Sequence, residues 1–469
     1  MFRGILISLA CFFLVCSCEK NINGGRTDIS FSEDTISFDT VFTTIGTTTR
    51  ELRVYNKSGS ALVIDEIALE GSASSKFRIN IDGESLFAKQ NVEIPARDSI
   101  FIFIDALIDP TNQSYPVSIK DAIAFRRGSN LERVILQAWG QDIILLKDKV
   151  IQDETWTGNK PYVIYGNLLI DTLATLTIEG GVRVLFHRES SMTVAGKLNV
   201  NGSKDSRVLF ASDRTEGVYN DVPGQWKGIH LLNTSQGNTL YFATIRGANT
   251  GLTVGEEDGK SGTADINLNS TDISHNSVSC LSAFRSRVSA INSVFSHSGK
   301  YCILLSGGGN YEFTHCTLYN IWDYGFRSTP LLYMSELPLQ AGSNTLLNAR
   351  FSNSIIHGDV LSEINTVPSG LSYSGIYVFD NDLIRIDTSS NPFWSKQRFR
   401  KVIVNKSPVL IDVVNYDYRP DTLSPVINAG SPDYTGVVPF DFRGVSRILD
   451  AAPDIGAFER LPGEKKKKN

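Results

Sequence analysis

Hydrophobic residues after Lys147 come in short alternating bursts broken by Gly, Asn or Ser: "GNLLI", "ATLTIEGGVRVLF", "MTVAGKLNVNG" and "RVLFASD" follow one another over residues 166–213. Apolar residues at every second position predict strands with one buried face. The bursts also align with one another. Ile273, Phe295 and Leu318 fall in one column at spacings of 22 and 23 residues, and Ile245 joins it if "GEEDGKSG" (Gly255–Gly262) is an inserted loop. His275, His297 and Asn320 make a second column, and Gly251, Cys280, Cys302 and Gly325 a third. A unit of that length supplies three short strands and three turns, one coil of a solenoid. Coils stack at the ordinary strand spacing of about 4.8 Å, so members of a column lie above one another. Two loops are expected to leave the repeat, Ser328–Thr345 and Phe379–Phe399, the second with Phe393 and Trp394 as a packed aromatic pair beneath it or, as the alternative, exposed.

Residues 28–146 follow another pattern. "ELRVYN", "ALVIDEIALE", "FRINI", "NVEIPA", "SIFIFIDALI", "AIAF" and "RVILQAWG" are alternating runs separated by polar turns, which predicts an antiparallel sandwich. The chain is therefore expected to be all-β, a sandwich followed by a solenoid of parallel strands over residues 147–415.

The repeat decides how the most conspicuous polar motif is read. "DISHNSVSC" and "VFSHSGKYC" each place a histidine ahead of a cysteine with four residues between. Two His and two Cys suggest zinc, which needs four convergent ligands at about 2.0–2.3 Å. Neighbouring coils place Gly in the cysteine column and Asn in the histidine column, as tight turns and a narrow interior would require. A structural ladder is the expectation, with a metal site and a Cys280–Cys302 disulfide as alternatives.

Composition narrows the function. The 38 glycines and three methionines suit β-structure. A net charge of −5 supplies no basic field for nucleic acid. The one dense basic run, within residues 463–469, reads as a solvated tail.

At the N-terminus "MFR" and the apolar "GILISLACFFLV" form a targeting signal too short to span a bilayer stably. It ends in "LVCSC", where Ser17 before Cys18 and Val15 resemble the lipobox of bacterial lipoproteins. The resemblance implies a signal peptide over 1–17, acylation of Cys18 and a tether over 18–27. Lipid chains contribute about 0.8 kcal/mol per buried methylene, so two or more anchor a protein stably. The implied location is the cell envelope, at the outer membrane, with surface exposure left open. Cys280, Cys302 and Cys316 are then the remaining cysteines, too few for a disulfide framework.

Further resemblances follow from longer stretches. "RVYNKSGSALVIDEIALEGSASSKFRI" resembles the immunoglobulin-like modules of the ASPM, SPD-2 and hydin type, which implies a spacer over 28–146. The bursts after Lys147, with "GQWKGIHL" at Gly224–Leu231, resemble the first rungs of right-handed parallel β-helices, a pectate-lyase-like architecture. "SPVINAG", "DFRGVSR" and "PDIGAFE" resemble the element that closes many bacterial β-helices, implying a solenoid cap over 416–462. Arg443 or Arg447 is expected to pair there with Asp441, Asp450 or Asp454, because a buried charge must be paired.

Several parallel β-helix families are polysaccharide lyases or hydrolases. The paired aspartates of one such family are missing, since no Asp-Asp dipeptide occurs, and "IWDYG" only faintly echoes a pectate-lyase segment. Arg246, Asp272, His275 and His297, on neighbouring columns, are the best catalytic candidates. Trp322, Tyr324 and Trp394 are the candidate sugar-binding aromatics. No cofactor is expected, with Ca²⁺ at the acidic loop Gly255–Gly259 as an alternative. The expectation is a lipid-anchored envelope protein that binds glycan or another envelope component without catalysis. A surface lyase or hydrolase and an adhesive or structural protein are the alternatives.

Overall fold

Strands account for nearly every regular element in the computed structural model, which describes residues 28–257, 262–337 and 346–464. The expected signal peptide, Cys18 and its tether lie outside the described residues, as does nearly all of the basic tail.

One compact unit holds residues 28–109 together with Ser118–Trp139. Its two sheets are antiparallel and five-stranded. Arg50–Asn56 pairs with Ser99–Ala106, which pairs with Phe77–Ile81. In the other sheet Leu62–Leu69 lies between Ala88–Ile94 and Val117–Arg127. Alternate residues face inward, so Leu52, Val54, Ile64, Ile79, Ile102, Ile104 and Leu136 make one core while their neighbours face outward. This is the immunoglobulin-like sandwich.

The second unit contains Pro110–Val117 and the described residues after Trp139. It is a parallel β-helix, right-handed as crossovers between parallel strands of one sheet are. One face is an eleven-stranded parallel sheet that starts at Ile144–Lys147 and ends at Ile403–Val404. The other two faces are continuous with each other in a seventeen-stranded sheet. They join because Ser279–Ile291 and Tyr301–Thr314 each run round a corner, through a register shift between Phe284 and Ser286. At that corner Gly309 has φ +119, and a Cβ on it would lie 2.5 Å from the Ser286 carbonyl oxygen. Only glycine fits.

The apolar column runs as the repeat predicts. Phe210, Ile245, Ile273, Phe295 and Leu318 are in register on successive rungs and fully buried. Elsewhere in the interior Phe313, Phe351, Phe379 and Phe399 stack at centroid distances of 4.8, 5.0 and 4.6 Å, the strand spacing itself. Trp226 of "GQWKGIHL" stacks on Phe186 at 4.0 Å and donates its indole N–H to the Arg246 carbonyl.

Three expectations are corrected. The cysteine column continues to Leu331, not Gly325, because Ile303 pairs with Leu332 and residues 321–330 leave the coil. Both expected loops contain sheet strands, Leu332–Ser335 in the first and Leu383–Ile384 in the second, with Phe393 packed in the core. The C-terminal segment expected to close the solenoid's end instead lies along its side. Val426, Ile455, Tyr418 and Ala457 pack on Val294, Ile355 and Leu383, which project outward from the eleven-stranded sheet, and the contact reaches the last rung at Ile403. Those apolar outward positions would otherwise face water. Within this segment Arg443 meets Asp441 as expected, at 3.5 Å, whereas buried Arg447 pairs with Glu459 at 2.6 Å.

Candidate functional site

The outward positions of the eleven-stranded sheet form two rows. One row carries Arg183, Leu209, Thr244, Asp272 and Val294 on successive rungs. The other carries Arg246, Ser274 and Ser296. Two segments cover this face, the excursion that follows Val208–Ser212 and the C-terminal segment. A cleft of about 170 Å³ remains, with Asp221 from the first segment and Tyr416 and Tyr418 from the second facing Arg246, Asp272 and His275.

His275 and His297 end the strands Asp272–Asn276 and Val294–Ser298, both with left-handed backbone, φ +57 and +49. Histidine visits that region several times more readily than most residues. Because the rungs are in register, the imidazoles stack face to face, 4.9 Å apart and 7° from parallel. Tyr416 meets both rings edge-on at 4.5 and 4.7 Å, the favourable contact of a ring edge with a π face. The Tyr418 hydroxyl is hydrogen-bonded to His297 Nδ1 at 2.9 Å. His275 is 5% exposed, yet neither of its ring nitrogens has a hydrogen-bond partner. The Asp221 carboxylate stands 3.9 Å from its Nε2.

Burial sets the protonation of the cleft. It lowers both imidazoles to about 4, helped at His275 by the Arg246 charge and at His297 by its neighbour His275. Burial and the nearby Asp221 charge push Tyr416 up to about 12. Burial also raises Asp272, opposed by Arg207. At neutral pH the floor is thus uncharged imidazole and phenol, able to donate and accept hydrogen bonds.

Trp322 and Tyr324 stand beside the cleft, rings 5.4 Å apart, with the Tyr324 hydroxyl donating to the Asp221 carbonyl at 3.2 Å. Tyr324 is 55% exposed. The structure therefore gathers Arg246, Asp272, His275 and His297, with Trp322 and Tyr324 at the margin. Trp394 is not among them, because it packs on Phe399 at 4.8 Å against the core. Cys280 and Cys302 share the interior with no disulfide, while His275 lines the outer cleft. The four residues of the zinc alternative point to opposite sides of one sheet corner and cannot converge. At the acidic loop, Glu256 is tied to Asn233 through its backbone N–H and its carboxylate. Asp221, Tyr416 and Tyr418 were not legible as site residues: nothing in "YNDVPG" or "NYDYRPD" shows that the two stretches meet.

No family model matches the sequence, and no curated protein matches it. Among solved structures, a protein of unknown function from Porphyromonas gingivalis W83 is similar at 11% identity over 27% of this chain and 61% of that one, with a TM-score of 0.19. This chain thus spans about three fifths of it. A PapD-like domain of human CEP192 is similar at 12% identity, over 29% of this chain and 97% of that one, with a TM-score of 0.17. The catalytic domain of a GH87 alpha-1,3-glucanase solved with nigerose covers 74% of this chain and 92% of its own, at 8% identity and a TM-score of 0.15. Similarity at this level carries no argument about activity. The fold stands on its own strand registers.

Proposed function

We propose that the protein is a lipid-anchored component of the cell envelope whose β-helix binds glycan in the His275–Tyr416 cleft without turning it over. The observation that carries the reading is the cleft itself, lined by Asp221, Asp272, Ser274 and His275 and edged by the rings of Tyr416, Tyr324 and Trp322. Sugar hydroxyls would bond to Asp221, Asp272 and Ser274, which line the cleft beside His275, and Trp322, Tyr324 and Tyr416 would cover the apolar faces of the rings. Imidazoles held near 4 are weak bases at neutral pH, which favours holding over proton transfer. The membrane connection rests on the lipobox-like "LVCSC" with Cys18, and the sandwich would act as its spacer. Asp272, with its carboxyl raised in the same cleft, favours lyase or hydrolase activity as a second reading.

A glycan array tests the proposal, followed by product assays for unsaturated ends and reducing ends with and without Ca²⁺. Binding without product is expected, and Trp322→Ala should weaken it about tenfold, the loss of one stacking contact with its share of buried area. Turnover lost in Asp272→Asn would replace the binding reading with the enzymatic one.

A further inference from the structure

A second cleft of about 200 Å³ lies next to the first on the same sheet face, and Arg246 lines both. Its other cationic walls are Arg183 and Arg214. Arg183 lies one rung from Leu209 and two from Thr244, so it stands roughly 10 Å along the solenoid from the rung of Arg246. Between them lie Leu185, Leu209, Ala211 and Ser212, with Ala211 leaving room that a larger side chain would fill.

The arginines are oriented but not neutralised. The Arg214 guanidinium lies flat on Tyr219, 3.3 Å from the ring centroid, which leaves its N–H edge free. Arg183 donates to the Gln141 amide oxygen at 3.4 Å and Arg246 to the Asn220 amide oxygen at 3.4 Å. Among the described residues none of the three forms an ion pair, and no carboxylate lines the cleft. The nearest acidic residue in sequence, Asp213, is occupied by His187 Nδ1 at 2.7 Å. The Gln225 amide oxygen, also in this wall, is buried without a partner. In a chain of net charge −5, three unpaired guanidinium groups around one hollow are a built feature, and their planar forks match an oxyanion.

We infer that the Arg183–Arg214–Arg246 cleft is an oxyanion subsite that takes the sulfate ester or carboxylate of an acidic glycan. This rests on the glycan reading for the sugar but not for the anion. Asn220 lines the arginine cleft and Asp221 the imidazole cleft, so one ligand can run from one to the other. The charged substituent would lie among the arginines, and the uncharged part of the sugar beside His275.

Titration calorimetry of the full-length protein tests this with inorganic sulfate, and with sulfated, uronate and neutral forms of one oligosaccharide. Saturable binding of an anionic form at least about tenfold tighter than the neutral form is expected, the tenfold corresponding to one charge-assisted contact. Arg214→Ala and Arg183→Gln should remove that preference while leaving neutral-glycan binding unchanged, and Arg214→Lys should restore part of it. The sulfated and uronate arms decide which anion is held. Sulfate binding that needs the arginines, with no glycan binding at all, would uphold the subsite and sink the glycan reading. Neutral and acidic glycans binding alike, or anion binding indifferent to both substitutions, would overturn the subsite.

Discussion

At the scale of single residues, the stacked histidines give a pH signature. Their folded pKa values near 4 lie below the ordinary 6.5. The unfolded chain therefore takes up protons first as pH falls. The stability these groups contribute is complete above about pH 6.5 and is lost between about 6.5 and 4, up to about 3 kcal/mol apiece. The pair does not add simply, because charging one ring opposes charging the other. His297→Asn is the informative variant. Asparagine tolerates the left-handed backbone that this position has. The variant should fold, and its melting temperature should drop less than the wild type's on going from about pH 7 to about pH 4.5. An undiminished drop would show that the histidines are protonated already in the folded protein.

The same column shows what was readable. Spacing alone aligned His275, His297 and Asn320, and the structure keeps the two histidines in one column, whereas Asn320 lacks their left-handed backbone and clamps the Ser298 backbone as Asn276 clamps that of Ala248. Whether the rings stack, and that Tyr416 caps them, depended on side-chain directions and on a segment more than a hundred residues away.

At the scale of elements, rungs are held by apolar stacking inside and by polar clamps at the turns. The tightest clamp is Glu336, at the end of Leu332–Ser335 and 2% exposed. Its carboxylate accepts from the backbone N–H groups of Ser369, Ser374 and Gly375, from both serine hydroxyls and from the Tyr377 hydroxyl, all at 2.8–3.1 Å. Those donors outweigh the effect of burial and hold it at about 2, against an ordinary 4.5. Its contribution is full above about pH 4.5 and is lost as pH falls toward 2. Glu336→Gln should cost about 2 kcal/mol at neutral pH, the difference that charge makes to a buried hydrogen-bond set, measured by urea denaturation. Loop boundaries were the least legible elements. The 22-residue step from Cys280 to Cys302 becomes 29 residues from Cys302 to Leu331, and a constant-period alignment breaks at such an insertion.

At the scale of the whole β-helix unit, the C-terminal segment is as integral as any rung. Arg447 is fully buried, paired with Glu459, and donates to Asn292 Oδ1 on the solenoid at 2.7 Å. Removing one partner of a buried pair leaves the other charge unpaired. Arg447→Ala should therefore cost about 3–5 kcal/mol, while Arg447→Met with Glu459→Leu should recover much of the loss. Thermal melts of both variants check this. A single variant as stable as the wild type would mean the segment's attachment rests on its apolar contacts alone. Since Tyr416 and Tyr418 reach the cleft from this segment, the single variant should weaken glycan binding even where it still folds.

Taken alone, the sequence determined the all-β class, the solenoid and the alignment of its central rungs. Each rung buries every second residue at a nearly constant period, and that pattern is local enough to be read along the chain. The tertiary structure alone decided that "SPVINAG … PDIGAFE" lies along the side of the helix, because outward Val294, Ile355 and Leu383 need cover and spacing does not show which segment provides it. It alone assembled the site as well. Asp221, Arg246, His275 and Tyr416 come from segments separated by loops of irregular length, and only packing on one sheet face brings them together.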